Sequence, residues 1–426
     1  MHPEDPPTGP DQLLFGLLGL EARAGRLEGA FGADPELGLM WRAGAALTEA
    51  CRSVGLEDIH VTEGDVVLRA REHRGTDPEG ARGAEAVAAL LPVLAAPGDL
   101  ARDTHAVLAR CLRVSLRREI DPRDDRDGVE RLEARVSGAE RAAIARDIAA
   151  GLEGAPTPFL GALRAATILR RATQGAAPAG ERLVFMAAEH ALRGGAGRTR
   201  EAAAPEPLAA IRRIEAGWIF LPSIALTRSG FRAWQPGRPA GLCDLVAGLT
   251  GELDRSIGSL AQLRAWRDGV RRIAEAKTRR SRLRDVIDLV IREPIVTTAR
   301  MRDMLELSDR AAFTLMDAAA AAGIVRLVTP RRSWRVWARP DMADRLSART
   351  RRDRAGSRGR AADALEAGEA AEPFAPPSGV ARDPDHAGAA AWARAAAREA
   401  EALEQLDAAM ARADAILRKH AAKPRD

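Results

Sequence analysis

The residues best suited to chemistry in this sequence are arginines of its C-terminal third. Arg300, Arg302, Arg310, Arg331, Arg332 and Arg335 fall close together, with Thr314 among them. A guanidinium offers a rigid fork of N–H donors that fits phosphate oxygens, and it stays charged at any physiological pH. Thr314 adds a neutral hydroxyl that both donates and accepts. Such a set binds a polyanion; it does not make or break bonds. Elsewhere the reactive side chains are scattered. His60 and Glu63 lie near Glu57, but isolated groups of this kind are ordinarily surface or core residues, and no metal or other cofactor is expected. Cys51, Cys111 and Cys243 are far apart and form no CxxC pair, so reduced thiols and a cytoplasmic setting are expected. No Walker phosphate loop, HExxH pair or nucleophile elbow is present.

Charge locates the polyanion-binding potential. The 426 residues carry 65 Lys plus Arg and 60 Asp plus Glu, a net charge of +5 that by itself decides nothing. Lys277, Lys419 and Lys423 are the three lysines, which leaves 62 arginines spread over the whole chain, as codon bias in a GC-rich genome would produce. Segment by segment the picture changes. Residues 264–302 hold 12 cations and 5 anions, residues 303–325 hold 1 and 4, and residues 326–354 hold 10 and 3. The stretch 264–354 is therefore +11, and everything outside it is −6. A field of that sign and extent favours phosphate binding through release of condensed counterions.

These arginines need folded elements to hold them. Apolar residues recur at helical spacing through most of the chain and almost nothing alternates with period two, so the fold class is mainly α. Residues 1–10 read as a disordered leader, and 11–277 as a helical body with helices around Leu13–Leu20, Val87–Leu94, Leu100–Leu116, two runs within 156–193, and 242–277. The charged stretch 118–131 reads as a loop or a solvated helix start. Residues 278–346 read as a winged helix-turn-helix. In that segment Pro294 ends one helix, Thr297 or Thr298 caps a short second one, and Ser308 caps a third that stops at Gly323. IVRLV (324–328) and SWRVWA (333–338) alternate as a β-hairpin about a TPRR turn. Ala312 is small enough for the helix crossing, Arg310, Thr314 and Asp317 face outward, and Arg331, Arg332 and Arg335 line the wing. Residues 347–391 read as a disordered linker. Residues 392–420 read as an amphipathic helix with Leu403, Leu406, Met410, Ala413 and Leu417 on one seam, which could pack on its own protein or on a second copy. No segment is apolar for long enough to cross a membrane, and no signal peptide is expected.

The stretch from VIDLVIREP to RRSWRVWA resembles the winged helix that follows the Fic domain in many bacterial Fic proteins. EACRSVGLEDIHVTEGDVVLRA (49–70) is similar to the Fic segment that holds the inhibitory helix: Ser53 and Glu57 match its motif, while Asp58 replaces the usual Gly or Asn. GAEAVAALLPVLAAPGDLARDTHAVLARC (83–111) and WIFLPSIALTRSGFRAW (218–234) resemble later Fic segments. The layout is equally similar to a bacterial family, the domain of unknown function 1612 with a C-terminal helix-turn-helix. The Fic resemblance implies a His general base and a Gly-Asn-Gly-Arg loop that holds nucleotide phosphates, with an acid for Mg²⁺. Two places compete for that loop. HALRGGAGR supplies His190, Gly195, Gly197 and Arg198, but has Ala196 for the Asn and Gly194 for the acid. RRATQGAAPAGERL (170–183) precedes a clean helix at the expected distance from WIFLP, yet contains no His. The second register is preferred, and in either the metal-holding acid and the Asn are missing, so a catalytically degenerate Fic-like body is expected.

The expected function is that of a non-enzymatic, cytoplasmic bacterial DNA-binding protein, transcriptional or replicon-associated, whose partners are double-stranded DNA and, through the body or last helix, a second copy of the chain. Two alternatives stay open. One is a Fic-type protein adenylyltransferase or nucleotide-binding protein using His190, Gly195, Gly197 and Arg198. The other is a protein-interaction module without nucleic acid.

Overall fold

Short polar side chains and prolines set where the helices of this chain begin. The computed structural model describes residues 10–57, 59, 61–69, 78–114, 116–119, 128–131, 136–175, 177–193, 239–277, 281–329 and 335–346. His60, Gly195, Gly197, Arg198, Arg331, Arg332, the leader before Pro10, the segment 218–234, the linker 347–391 and the expected helix 392–420 lie outside the described residues. Asp34 accepts from Leu37 N (3.1 Å), with Pro35 in the first turn, at the junction of α1 (Pro10–Ala33) and α2 (Pro35–Gly55). Ser137 and Glu140 form a reciprocal capping box that starts α6 (Gly138–Leu152). Thr157, followed by Pro158, starts α7 (Pro158–Ala172). The remaining body helices are α3 (Glu63–Arg69), α4 (Pro78–Ala95), α5 (Thr104–Val114), α8 (Pro178–Leu192) and the long α9 (Pro239–Glu275).

Packing among these helices makes one core that continues into the C-terminal segment. α9 lies along α1 and reaches α2, and Arg23 of α1 donates to Asp254 of α9 at 2.8 Å. α7 and α8 meet over a long contact, where Phe159 and Phe185 pack edge to face with centroids 5.6 Å apart. Their close approach depends on Gly161: a Cβ there would stand 2.2 Å from a Leu192 methyl and 2.9 Å from the Ala155 Cβ.

Two expectations from sequence are corrected. The helix placed at Leu100–Leu116 begins only at Thr104, because Asp99 accepts from Ala101 N and Arg102 N and folds residues 99–102 into a turn; Leu100 is nevertheless fully buried. The stretch 118–131, expected as a loop or a helix start, has strand at both of its described ends. β1 (Leu116–Glu119) pairs antiparallel with β2 (Gly128–Arg131), in the register Leu116 opposite Arg131. LRRE and GVER carry so few apolar residues that no period-two pattern reports them.

The C-terminal segment runs α10 (Leu283–Arg292), β3 (Ile295–Thr297), α11 (Thr298–Leu305), α12 (Asp309–Ala321), β4 (Arg326–Leu327) and β5 (Val336–Ala338). The strands form an antiparallel sheet in the order β3-β5-β4. The expected hairpin is thus shorter than its sequence pattern, and it gains a third strand where none was expected. β3 is three wholly buried residues after Pro294, too short to alternate. Residues 340–346 continue as a helical turn that buries Met342, Ala343 and Leu346.

The Gly161 contact gives a stability test. Gly161→Val should lower stability by about 1–3 kcal/mol through overpacking of α7 on α8. Gly25→Ala, on the exposed side of α1 with nothing within 4 Å of the added Cβ, should raise it by about 0.5–1 kcal/mol. Urea midpoints of the two variants, compared with the parent, check both signs.

Candidate nucleic-acid interface

The described residues expected to touch DNA, Arg300, Arg302, Arg310, Thr314 and Arg335, sit on the module built from α10 to β5. Thr297 Oγ1 accepts from Arg300 N at 3.1 Å and starts α11, and Ser308 Oγ accepts from Ala311 N and starts α12. Between the two helices Glu306 takes a left-handed conformation (φ 52°), and Leu307 N bonds Arg302 O, which closes the turn. Ala312 is fully buried at the helix contact, with Met316 and Ala319 behind it. Gly323 (φ 74°) releases the chain from α12 toward β4. Trp337 in β5 is buried, and its indole N–H donates to Thr298 Oγ1 at 3.3 Å, tying sheet to helix.

On this scaffold the outer face of α12 presents Arg310, Ala311, Thr314 and Asp317, all exposed. Arg310 forms no ion pair among the described residues. The Thr314 hydroxyl donates back to Arg310 O at 2.9 Å, which leaves its lone pairs facing solvent. Of the other expected arginines, the described ones, Arg300, Arg302 and Arg335, are engaged within the protein. Arg300 makes a bidentate contact with the buried Glu293 (2.8 and 3.2 Å). Arg302 bridges Asp303 and Asp309 (2.7 and 3.0 Å). Arg335 donates to Asp317 at 3.0 Å and lies over the Phe313 ring, 5.4 Å from its centroid. Exposed ion pairs of this kind are worth little and exchange readily for phosphate, so Arg302 and Arg335 remain candidates, whereas Arg300 is chiefly structural. Arg292, exposed and in no ion pair among the described residues, is a cation that its motif gave no reason to single out.

The residues of the alternative enzymatic reading lie in the body. His190 occupies the last turn of α8 and is 3% exposed. Burial holds its imidazole neutral, down to about 4, with Asp99 opposing and Arg42 reinforcing the shift. The loop that precedes α8 is 173–177, so the His-free register stands at the helix N-terminus and His190 at the opposite end. Ser53 donates to Glu49 Oε1 at 3.1 Å, and Glu57 accepts from Ala179 N at 2.9 Å, in the first turn of α8. Glu57 therefore places a carboxylate on the Ala179 N–H, at a helix N-terminus whose dipole favours an anion.

Around these residues lies a buried ionic layer that sequence reasoning missed. Arg182 of α8 donates to Glu49 of α2 at 2.8 Å with both side chains almost fully buried. Arg193 joins Glu189 and Glu21 (3.0 and 2.8 Å). Burial pushes Glu181 and Glu189 up to about 7, against the pull of Arg170 and Arg193 respectively. Arg42, lying 4.7 Å above the Phe31 ring, is held down to about 10 by burial. Nothing in the local sequence distinguishes these charges from surface ones. Among the described residues no three His, Cys, Asp or Glu side chains converge as metal ligands, and no helix is long and apolar enough to cross a membrane. No protein-family model matches the chain, and no curated protein matches it.

The low His190 value carries a pH prediction. Between pH 4 and 6.5 the unfolded chain binds a proton that the folded imidazole refuses, so this group's contribution to stability is present above about 6.5 and lost as pH falls toward 4. Glu181 and Glu189 act oppositely: their contribution is present below about 4.5 and lost as pH rises through 7. His190→Gln removes only the first term. Relative to the parent, its urea midpoint should therefore improve steadily from pH 6.5 to 4.5, and an unchanged gap across that range would show that the imidazole is not held neutral.

Proposed function

We propose that this chain binds double-stranded DNA through residues 278–346, folded as a winged helix-turn-helix, and acts as a transcriptional or replicon-associated regulator. The observation that carries this reading is the charge contrast, +11 on residues 264–354 against −6 on the remainder. The capped α11–turn–α12 unit beside a three-stranded sheet supports it, since that is the arrangement in which a helix lies in the major groove and a hairpin meets the backbone. On this reading α12 enters the groove, and Arg310 and Thr314 reach base edges. Arg331, Arg332 and Arg335 contact phosphate or the minor groove, and Arg292 and Arg302 flank them. With mostly alanine on its outer face, α12 reads few bases directly, so affinity is dominated by phosphate contacts.

For the body we infer a Fic-like helical scaffold without transfer chemistry. Support comes from the Glu57 carboxylate on the N-terminus of α8 and from the burial of His190 away from that end. A general base needs contact with the hydroxyl it deprotonates, and an imidazole 3% exposed offers none. Incubation of the chain and of Glu57→Gly with labelled ATP and Mg²⁺ should leave both unlabelled.

Two binding measurements test the DNA reading. In mobility-shift titrations with random duplex, affinity should fall steeply with salt, and Arg331→Ala combined with Arg332→Ala should reduce the log–log slope by about 2. Asp317→Asn removes an anion from the outer face of α12 and frees Arg335, so it should tighten duplex binding roughly fivefold or more, the worth of about 1 kcal/mol. Retardation that ignores salt, or that Asp317→Asn weakens, would contradict the proposal.

A further inference from the structure

A cavity of about 720 Å³ opens where α2, α9 and residues 339–345 meet. Its size is in the range that holds small organic ligands. Trp41 and Trp266 give it apolar wall, and Ser256 and Gln262 add neutral polar groups. The Arg339 guanidinium lies over the Trp266 ring, 5.8 Å from the centroid.

The hydrogen-bonding capacity left over in this lining is one-sided. Each acid that lines the cavity is already matched: Glu252 by Arg255, Asp341 by Arg339 and Asp344 by Arg326. The groups left over are donors. Arg339 is 1% exposed, and its Nη1 makes no hydrogen bond, although Nε and Nη2 are used by Asp341 and Met40 O. Trp266 Nε1 is likewise buried and unbonded. Arg52 is exposed at the lining and forms no ion pair among the described residues. A buried donor left unmade costs about 1–3 kcal/mol, so a ligand that supplies acceptors there gains more than it would at a satisfied surface.

We propose that this cavity is a binding site for a small, flat organic carboxylate, whose ring lies against the indole walls and whose oxygens meet the spare donors of Arg339, Trp266 and Arg52. The site is separate from the outer face of α12 and does not depend on the DNA reading. It adjoins the small sheet, because Arg339 directly follows β5 and its backbone N–H donates to Pro294 O at 2.8 Å.

Isothermal titration calorimetry of the full chain with naphthalene-carboxylate, and with the neutral naphthalene-carboxamide as its isostere, tests the site. The carboxylate should bind once per chain and the amide roughly tenfold more weakly, the discrimination expected of charge-assisted hydrogen bonds. Arg52→Gln should weaken the carboxylate about tenfold and leave the amide unchanged. Gln262→Trp, an exposed position on the lining, should abolish binding of both by filling the space while leaving the unfolding temperature unchanged. Equal affinity for acid and amide, no heat at millimolar carboxylate, or undiminished carboxylate binding by a folded Gln262→Trp would each overturn the proposal.

Discussion

The burial of Arg339 is the constraint on which the junction of this structure depends. Its guanidinium is 1% exposed, and a buried cation must find compensating partners or the fold loses several kcal/mol. It finds them on three sides: Asp341 two residues on, the Met40 carbonyl of α2, and the face of Trp266 in α9. Since Arg339 stands at the end of β5, these contacts fix the sheet to the helical body. Arg345, six residues further on, repeats the attachment by donating to Gly44 O and pairing with Glu63. The helical turn 340–346 can then bury Met342, Ala343 and Leu346 in the shared core. The cavity lies beside Trp266, where one nitrogen of Arg339 and the indole nitrogen make no hydrogen bond.

The body follows a related logic with less complete compensation. α2 and α8 meet through the Glu49–Arg182 pair, with Glu189, Arg193 and Glu21 closing the far end. Pairs buried so deeply add little net stability against an apolar alternative, but breaking one partner leaves an orphaned charge and costs far more. Glu49 Oε2, Glu189 Oε2 and two nitrogens of Arg42 make no hydrogen bond, and burial pushes Glu189 toward neutrality and Arg42 toward a lower value. This layer fills the ground between α2 and α8 with buried, mutually paired charges. Glu57 adds a carboxylate at the first turn of α8, accepting from Ala179 N.

Much of the architecture was legible from local patterns. Thr297 and Ser308 announced two helix starts, Gly323 a helix end, and Pro294 the stop of α10, because capping and φ preferences act over one or two residues. The mainly helical class and the alternation of IVRLV and WRVWA were equally local signals. What escaped was set by partners distant in sequence. β3 exists because Ile295–Thr297 pairs with β5 some forty residues later, and three buried residues carry no period of their own. The β1–β2 hairpin hides in a stretch so charged that apolar alternation never appears. Neither the depth nor the partners of the arginines were readable: Glu293 holding Arg300, Asp317 holding Arg335 and Met40 receiving the buried Arg339 depend on packing that spacing does not encode.

Hydrogen–deuterium exchange of the full chain, with and without random duplex DNA at low salt, tests the proposed nucleic-acid interface directly. The account predicts slowed exchange within α12 (Asp309–Ala321) and in β5 and its flanks on DNA addition, reversed when salt is raised. Slowed exchange confined to the body helices between Pro10 and Leu192, or none anywhere under conditions where the duplex is in excess, would contradict it.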